Sequence, residues 1–283
     1  MFVSLFSWLR SGIHELTHTI RAMAHRVQEQ LVLVVELLIL LAICPKAIFG
    51  KLGCHSRPSD VPPPDGNGYC LSWRLAVEAN NMRAWRTVPP QCQRHVESYM
   101  TGGQYYQDID LIIKQVTAYA DGITMSGDGM DAWVLDIDDT CISNMLYYKG
   151  KRYGCDPFDA AGFKAWATRA ECPAIPAVLG LFQKLVDGGF KVILLTGRDQ
   201  ETLGGATASN LLTQGFDGYE RLIMRTQAYK GQSAITFKSD IRRQLVEEGY
   251  RIWGNIGDQW SDLQGQFVGN RTFKIPNPMY FVP

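Results

Sequence analysis

From Ala132 to Asn144 the chain reads Ala-Trp-Val-Leu-Asp-Ile-Asp-Asp-Thr-Cys-Ile-Ser-Asn, so an apolar stretch leads directly into three carboxylates, Asp136, Asp138 and Asp139. Like charges this close tolerate burial only when a cation or hydrogen bonds compensate them. Trp133, Val134 and Leu135 read as a strand covered on both faces, as in a parallel sheet. Ligands of open α/β sheets gather beyond the carboxyl ends of the strands, which points these aspartates into a binding crevice. The expected occupant is a hard divalent ion that prefers oxygen ligands.

Three further pieces follow in order. The apolar strand Lys191 to Leu195 ends in Thr196-Gly197-Arg198, where a hydroxyl and the Gly197 amide can hydrogen-bond a phosphoryl oxygen. Lys238, near an expected helix start, is a point charge able to reach a phosphoryl group, with Lys230 as the competing candidate. Gly257-Asp258-Gln259-Trp260-Ser261-Asp262 comes after the strand Arg251 to Ile256 and sets two acids four residues apart, on one side of a helical turn. Together with Asp136 and Asp138, Asp258 and Asp262 form an oxygen-rich shell of the type magnesium prefers.

Asp136-x-Asp138-x-Thr140, a strand-end Thr, a Lys and the Gly-Asp-x-x-x-Asp stretch resemble the four-motif pattern of the haloacid-dehalogenase-like phosphohydrolases. More narrowly, Cys70 to Pro283 is similar to the plant class B acid phosphatases and the vegetative storage proteins related to them. The likeness is carried by Leu71 to Asn81, Asp131-Ala132-Trp133, Tyr147 to Gly154 and the ending Pro276-Asn277-Pro278-Met279-Tyr280. The resemblance implies a magnesium-dependent acid phosphatase. Asp136 would be the nucleophile forming an aspartyl-phosphate, and Asp138 would protonate the leaving alcohol and then deprotonate water. Asp136, the Asp138 carbonyl and Asp258 would hold Mg2+ with Asp262 orienting the shell, and Thr196, Gly197 and Lys238 would hold the phosphoryl oxygens. A protonated Asp138 beside an ionised neighbour would account for an acidic optimum. The rival implied by the same resemblance is a storage-type protein with little or no turnover; some such relatives lack the nucleophile, which this chain has. Dehalogenase or phosphomutase chemistry is a second rival, but a dehalogenase would not need Asp138, and no second phospho-binding module accompanies the site.

The elements that position these residues alternate. After Asp136 come a helix over Pro176 to Val186, the strand ending at Thr196, a helix over Thr202 to Leu212, a short strand Leu222 to Met224, a helix over Ile241 to Glu248, and the strand before Asp258. That order predicts a doubly wound parallel α/β sheet. The long aromatic-rich connection Cys141 to Ala174 is expected to form a small cap over the site, or else a disulfide-closed shield. Upstream, Leu71 to Trp85 and Gln91 to Met100 read as short helices, and Ile109, Ile112, Ile113, Val116 and Tyr119 lie on one helical face. The division expected is an N-terminal signal or signal-anchor segment (1–50), a Pro/Gly-rich linker (51–68), a helical segment (69–128) and the catalytic domain with its cap insert (129–283).

Composition narrows partners and compartment. With 28 basic and 28 acidic residues the formal charge is zero, which argues against nucleic acid and leaves small-molecule phosphomonoesters, with a homodimer also entertained. Cys44 ends an apolar run; the other six of the seven cysteines suit disulfides, with Cys155–Cys172 and Cys70–Cys92 the pairs to test first among fifteen full pairings. Asn270-Arg271-Thr272 is a glycosylation sequon. The basic residues preceding the apolar run Leu31 to Ile43 place the protein in the secretory pathway, anchored in the membrane if the segment is retained, secreted or vacuolar if it is cleaved.

Overall fold

The apolar run before the aspartates forms β1 (Asp131–Leu135), the central strand of a five-stranded parallel sheet of order β3-β2-β1-β4-β5. Its companions are β2 (Lys191–Asp199), β3 (Arg221–Arg225), β4 (Arg251–Gly257) and β5 (Arg271–Lys274). The computed structural model describes Gln28 and residues 66–283. Apart from Gln28, the signal-anchor segment lies outside the described residues, as do most of the linker, Cys44 and Cys54. Among the described residues no helix is long and apolar enough to cross a membrane.

β1 is buried along its whole length because both faces are covered. Ala132 and Val134 face a cluster with Phe237, Ile241 and Leu245, whereas Trp133 and Leu135 join the larger core on the other side. Trp133 stacks on Phe273 with ring centroids 6.1 Å apart. Gly254 lies beside it, where a Cβ would come within 2.0 Å of the indole; the close approach of β4 to β1 needs that glycine.

The upstream helices are α1 (Gly66–Glu78), α2 (Gln93–Thr101) and α3 (Gln104–Asp121). Ile109, Ile113 and Val116 of α3 are buried in the same core as Trp133, and Ile112 and Tyr119 pack against it. The helix expected over Leu71 to Trp85 begins earlier, inside the stretch assigned to the linker, and stops at Glu78. Asn80 and Ala84 adopt left-handed backbone (φ 58° and 56°), which a helix cannot continue through. Cys70–Cys92 forms a disulfide. The Cys155–Cys172 bridge does not form, because both thiols are buried apart. Cys155 Sγ lies 4.0 Å from the Pro89 carbonyl, and Cys172 Sγ lies 3.5 Å from Asn144 Oδ1. β5 was not anticipated, since four residues are too few for a periodic signal.

α4 (Met145–Gly150) and α5 (Ala160–Thr168) fill the insert after β1. α6 (Pro176–Asp187) opens with proline at its first turn, α7 (Gln200–Thr213) is capped by Asp199, and α8 (Ala234–Glu247) is capped by Ser233. The four-residue α9 (Trp260–Leu263) follows β4.

At the far end of β1, Asp131 is buried and accepts from Arg251 Nε (2.9 Å), Trp253 Nε1 (2.7 Å) and the Ser126 amide (2.8 Å). The Arg251 hydrogen bond, against burial and with help from Ser126 and Trp253, holds this carboxyl well below the usual range. Asp131→Ala should therefore cost about 1–2 kcal/mol, because it removes the buried acceptor of the part-buried Trp253 and Ser126 donors while Arg251 remains partly solvated. With the folded value depressed, the wild-type contribution is complete above the unfolded value of about 3.9 and fades as pH falls toward the folded one. Urea denaturation of both proteins at pH 7 and pH 3 should show the gap at the higher pH and a smaller one at the lower.

Candidate active site

β1 and β4 are neighbours, and the chain leaves them toward opposite edges of the sheet, which makes the gap between their carboxyl ends the switch point of the fold. Asp136 follows β1 directly, and its amide donates to the Ile256 carbonyl at 2.9 Å, tying it to the strand that delivers Asp258. Asp136 Oδ1 accepts from Lys238 Nζ, which also donates to Asp262 Oδ1 at 2.7 Å. Lys238 is 4% exposed in the early turns of α8 and Lys230 is exposed, so the fold selects Lys238 of the two candidate lysines.

Asp136, Asp258 and Asp262 are all buried and offer carboxylate oxygens within 4.8 Å of one another. Burial raises the Asp136 carboxyl; Lys238 opposes the rise, and Asp262 and Asp138 add to it, leaving it above the ordinary range. Burial, Asp262 and Asp136 likewise push Asp258 up. Burial works against the Lys238 ammonium, but Asp136 and Asp262 more than restore it. One ammonium among three converging acids leaves negative charge to neutralise. A hard divalent cation fits this all-oxygen donor set and would reverse the upward shifts of the acids.

Asp262 is held on both sides. Its second carboxylate oxygen accepts from the Gln259 amide (2.9 Å), and its carbonyl accepts from Arg242 Nη1 (2.7 Å) and Asn255 Nδ2 (2.8 Å). Thr196 is buried at the end of the β2 core, and Gly197 beside it is exposed with open space where a Cβ would stand. Its backbone is thus free to approach a ligand.

Asp138 departs from expectation. Arg198 grips it through Nε (3.0 and 3.1 Å to the two oxygens) and Nη2 (2.7 Å), while Asn144 Nδ2 (2.8 Å) and Thr196 Oγ1 (3.2 Å) complete the cage. Burial alone would raise this carboxyl, but Arg198, with Asn144 and Thr196, brings it below the ordinary range. These partners favour the ionised form of Asp138 over the protonated form expected from the sequence. The β2 ladder is interrupted between Thr196 and Asp199, and this irregularity aims Arg198 inward.

Asp139 takes left-handed backbone (φ 53°) at the turn after β1 and is fully buried. It accepts from the Asn144 amide and from the Tyr280 hydroxyl, both at 2.8 Å; burial, against those bonds, raises it to about 6. The insert stands at the rim of the site. Trp166 Nε1 of α5 donates to Asn144 Oδ1 at 3.1 Å, the Arg198 guanidinium lies 5.9 Å from the Phe163 ring, and α5 packs against α7. Sequence reasoning missed Arg198, Asn144, Gln259, Asn277 and Tyr280 as site residues. Arg198 alone had a local signal, following Thr196 and Gly197 directly.

Comparison with known proteins bears on this arrangement. The family model described as HAD superfamily, subfamily IIIB (acid phosphatase) matches residues 60–283. Acid phosphatase 1 of Solanum lycopersicum is 43% identical over 213 residues, covering 75% of this chain and 83% of that protein. Vegetative storage protein 2 of Arabidopsis thaliana is 37% identical over 216 residues, covering 76% and 80%. Among solved structures, the class C acid phosphatase from Bacillus anthracis aligns with a TM-score of 0.48 at 19% identity, covering 76% of this chain and 86% of that one.

Proposed function

Because the chain belongs to the acid phosphatases of HAD subfamily IIIB, we propose that it hydrolyses phosphomonoesters through an aspartyl-phosphate on Asp136, with Mg2+ as cofactor. The observation that carries this reading is the buried convergence of Asp136, Asp258 and Asp262 around Lys238. An Asp136 carboxylate oxygen attacks phosphorus in line, the P–O bond to the alcohol breaks, and Asp138 delivers a proton to the departing oxygen. Water then attacks phosphorus, Asp138 takes its proton, and the P–O bond to Asp136 breaks to release phosphate. Thr196, the Gly197 amide and Lys238 hold the phosphoryl oxygens. Asp136, the Asp138 carbonyl and Asp258, with Asp262 beside them, would hold Mg2+, which would supply charge neutralisation between carboxylate and phosphate.

Arg198 holds the Asp138 carboxyl below the ordinary range, which favours a route in which the proton for the leaving group arrives with the substrate and passes through Asp138. A phosphomonoester has a second pKa near about 6, and below that pH it enters as the monoanion, carrying that proton. This places the origin of an acidic optimum in the substrate rather than in a resting protonated Asp138. A storage role is named for relatives of this chain; the intact set Asp136, Asp138, Thr196, Lys238 and Asp258 favours turnover. A released-phosphate assay over a panel of phosphomonoesters, with magnesium and with chelator, tests the reading. Magnesium-dependent release supports it, and none from any ester would leave the storage role.

Asp258→Ala should raise the magnesium concentration for half-maximal activity by about tenfold, since water can take over one ligand position. Coincident metal titrations of mutant and wild type would remove Asp258 from the shell. Delivery into the secretory pathway accords with the Cys70–Cys92 disulfide and the exposed sequon residue Asn270. With a retained N-terminal anchor, the active protein should stay in the membrane pellet after carbonate extraction. Recovery in the soluble fraction, with an N-terminus beginning after Cys44, would indicate cleavage instead.

A further inference from the structure

After β5 the last residues fold back over the site. The Ile275 amide donates to the Gly257 carbonyl at 2.8 Å, so the tail starts beside Asp258. Asn277 is 4% exposed between two prolines, with its Oδ1 accepting from the Met279 amide (3.0 Å) and its Nδ2 donating to Asp258 Oδ2 at 2.6 Å. The other donor to that oxygen is Gln259 Nε2, at 2.7 Å. The Gln259 amide is itself oriented by the tail: its Oε1 accepts from the Val282 amide (2.9 Å), and its Nε2 faces the Tyr280 carbonyl at 3.4 Å. Both donors on Asp258 Oδ2 are therefore set by residues 277–282, whereas Oδ1 has only the long contact from Thr140 Oγ1 at 3.5 Å, so Oδ1 is the oxygen with capacity left for a cation.

The tail is fastened to the rest of the site as well. The Tyr280 ring stacks on Tyr148 of α4 (4.7 Å, 13°), and its hydroxyl donates to Asp139. The Met279 carbonyl lies against Gly154, where a Cβ would come within 1.9 Å of it, and Gly154 has φ of 92°. Only glycine admits the tail there.

We propose that the C-terminal segment 277–282 is a positioning element of the metal site, placing Asn277 and Gln259 on Asp258 so that docking of the tail and binding of the divalent ion are linked. The proposal rests on the metal-dependent reading given above. Linkage is reciprocal: an ion that selects the oriented Asp258 stabilises the docked tail, and a tail that cannot dock weakens the ion.

The test uses the full chain and Mn2+, a hard-ligand probe whose free concentration is read by electron paramagnetic resonance, with no turnover involved. Asn277→Ala should weaken Mn2+ binding by about tenfold or more, as loss of an outer-shell partner does elsewhere. Val282→Pro removes the backbone donor to Gln259 and fixes φ at the same position, so it too should undock the tail and weaken binding in the same direction, which decides the matter if Asn277→Ala does not fold. In the wild type, saturating Mg2+ should slow amide hydrogen exchange at Met279 and Val282 by about 5- to 150-fold, the range of ordinary site-to-site coupling. Folded variants that bind Mn2+ within twofold of wild type, or tail amides indifferent to Mg2+, would overturn the proposal while leaving the metal site standing. A wild type that binds no Mn2+ would overturn the metal reading itself.

Discussion

Asp136→Asn should lower turnover by roughly 10^4-fold or more, equivalent to at least about 5.4 kcal/mol of barrier, while the protein remains folded. The amide has nearly the shape of the carboxylate and can still accept from Lys238, but it is a poor nucleophile and cannot form the acyl phosphate. Replacing one of three converging anions also relieves repulsion, which offsets part of the weakened Lys238 contact in the free protein. Circular dichroism and a thermal melt should therefore differ little from wild type. Activity within tenfold of wild type would remove Asp136 from the nucleophile role.

Lys238→Met has the second large effect, on both stability and activity. Its ammonium is buried between Asp136 and Asp262, and removing one member of a buried ion pair leaves uncompensated charge worth about 3–5 kcal/mol. In chelator the loss should be larger at neutral pH than at pH 4, and should keep growing as the pH rises further. Protonating the orphaned acids restores neutrality, and so does a divalent cation, so the melting temperature of the variant should rise with magnesium more steeply than that of wild type. Because Lys238 also holds a phosphoryl oxygen in the proposed mechanism, magnesium should rescue stability without restoring turnover. A variant that melts like wild type in chelator would show that the acids do not depend on Lys238.

The positions legible in the sequence are those whose chemistry coincides with a strand end. Asp136, Thr196 and Asp258 each follow an apolar run, and the parallel sheet brings those ends to one edge. Lys238 needed the structure to separate it from Lys230, because only Lys238 lies within α8, on its buried side, whereas Lys230 stands exposed in the turn before that helix. The reading of Asp138 as a resting acid could not take in Arg198, which pairs with it from a neighbouring strand and draws its carboxyl below the ordinary range, with a geometry that depends on the irregularity in β2. Asn277, Gln259 and Tyr280 carried no local signal. Their roles come from backbone donors and a stacked ring brought together by the chain's return over Gly154, which motif spacing does not encode. The Cys155–Cys172 pairing failed for a similar reason: an even cysteine count says nothing about which thiols are brought close, and here the pair is buried at different places in the core.

The central claim is that phosphoryl groups pass through Asp136. The most direct measurement is a single-turnover reaction with radiolabelled phosphomonoester, quenched in acid on the millisecond scale and followed by peptide mapping. The label should be found on the peptide spanning Asp136, be discharged by hydroxylamine as an acyl phosphate is, and decay at the rate at which inorganic phosphate appears. Label on any other residue, or phosphate released in one phase with no label passing through the protein, would contradict it.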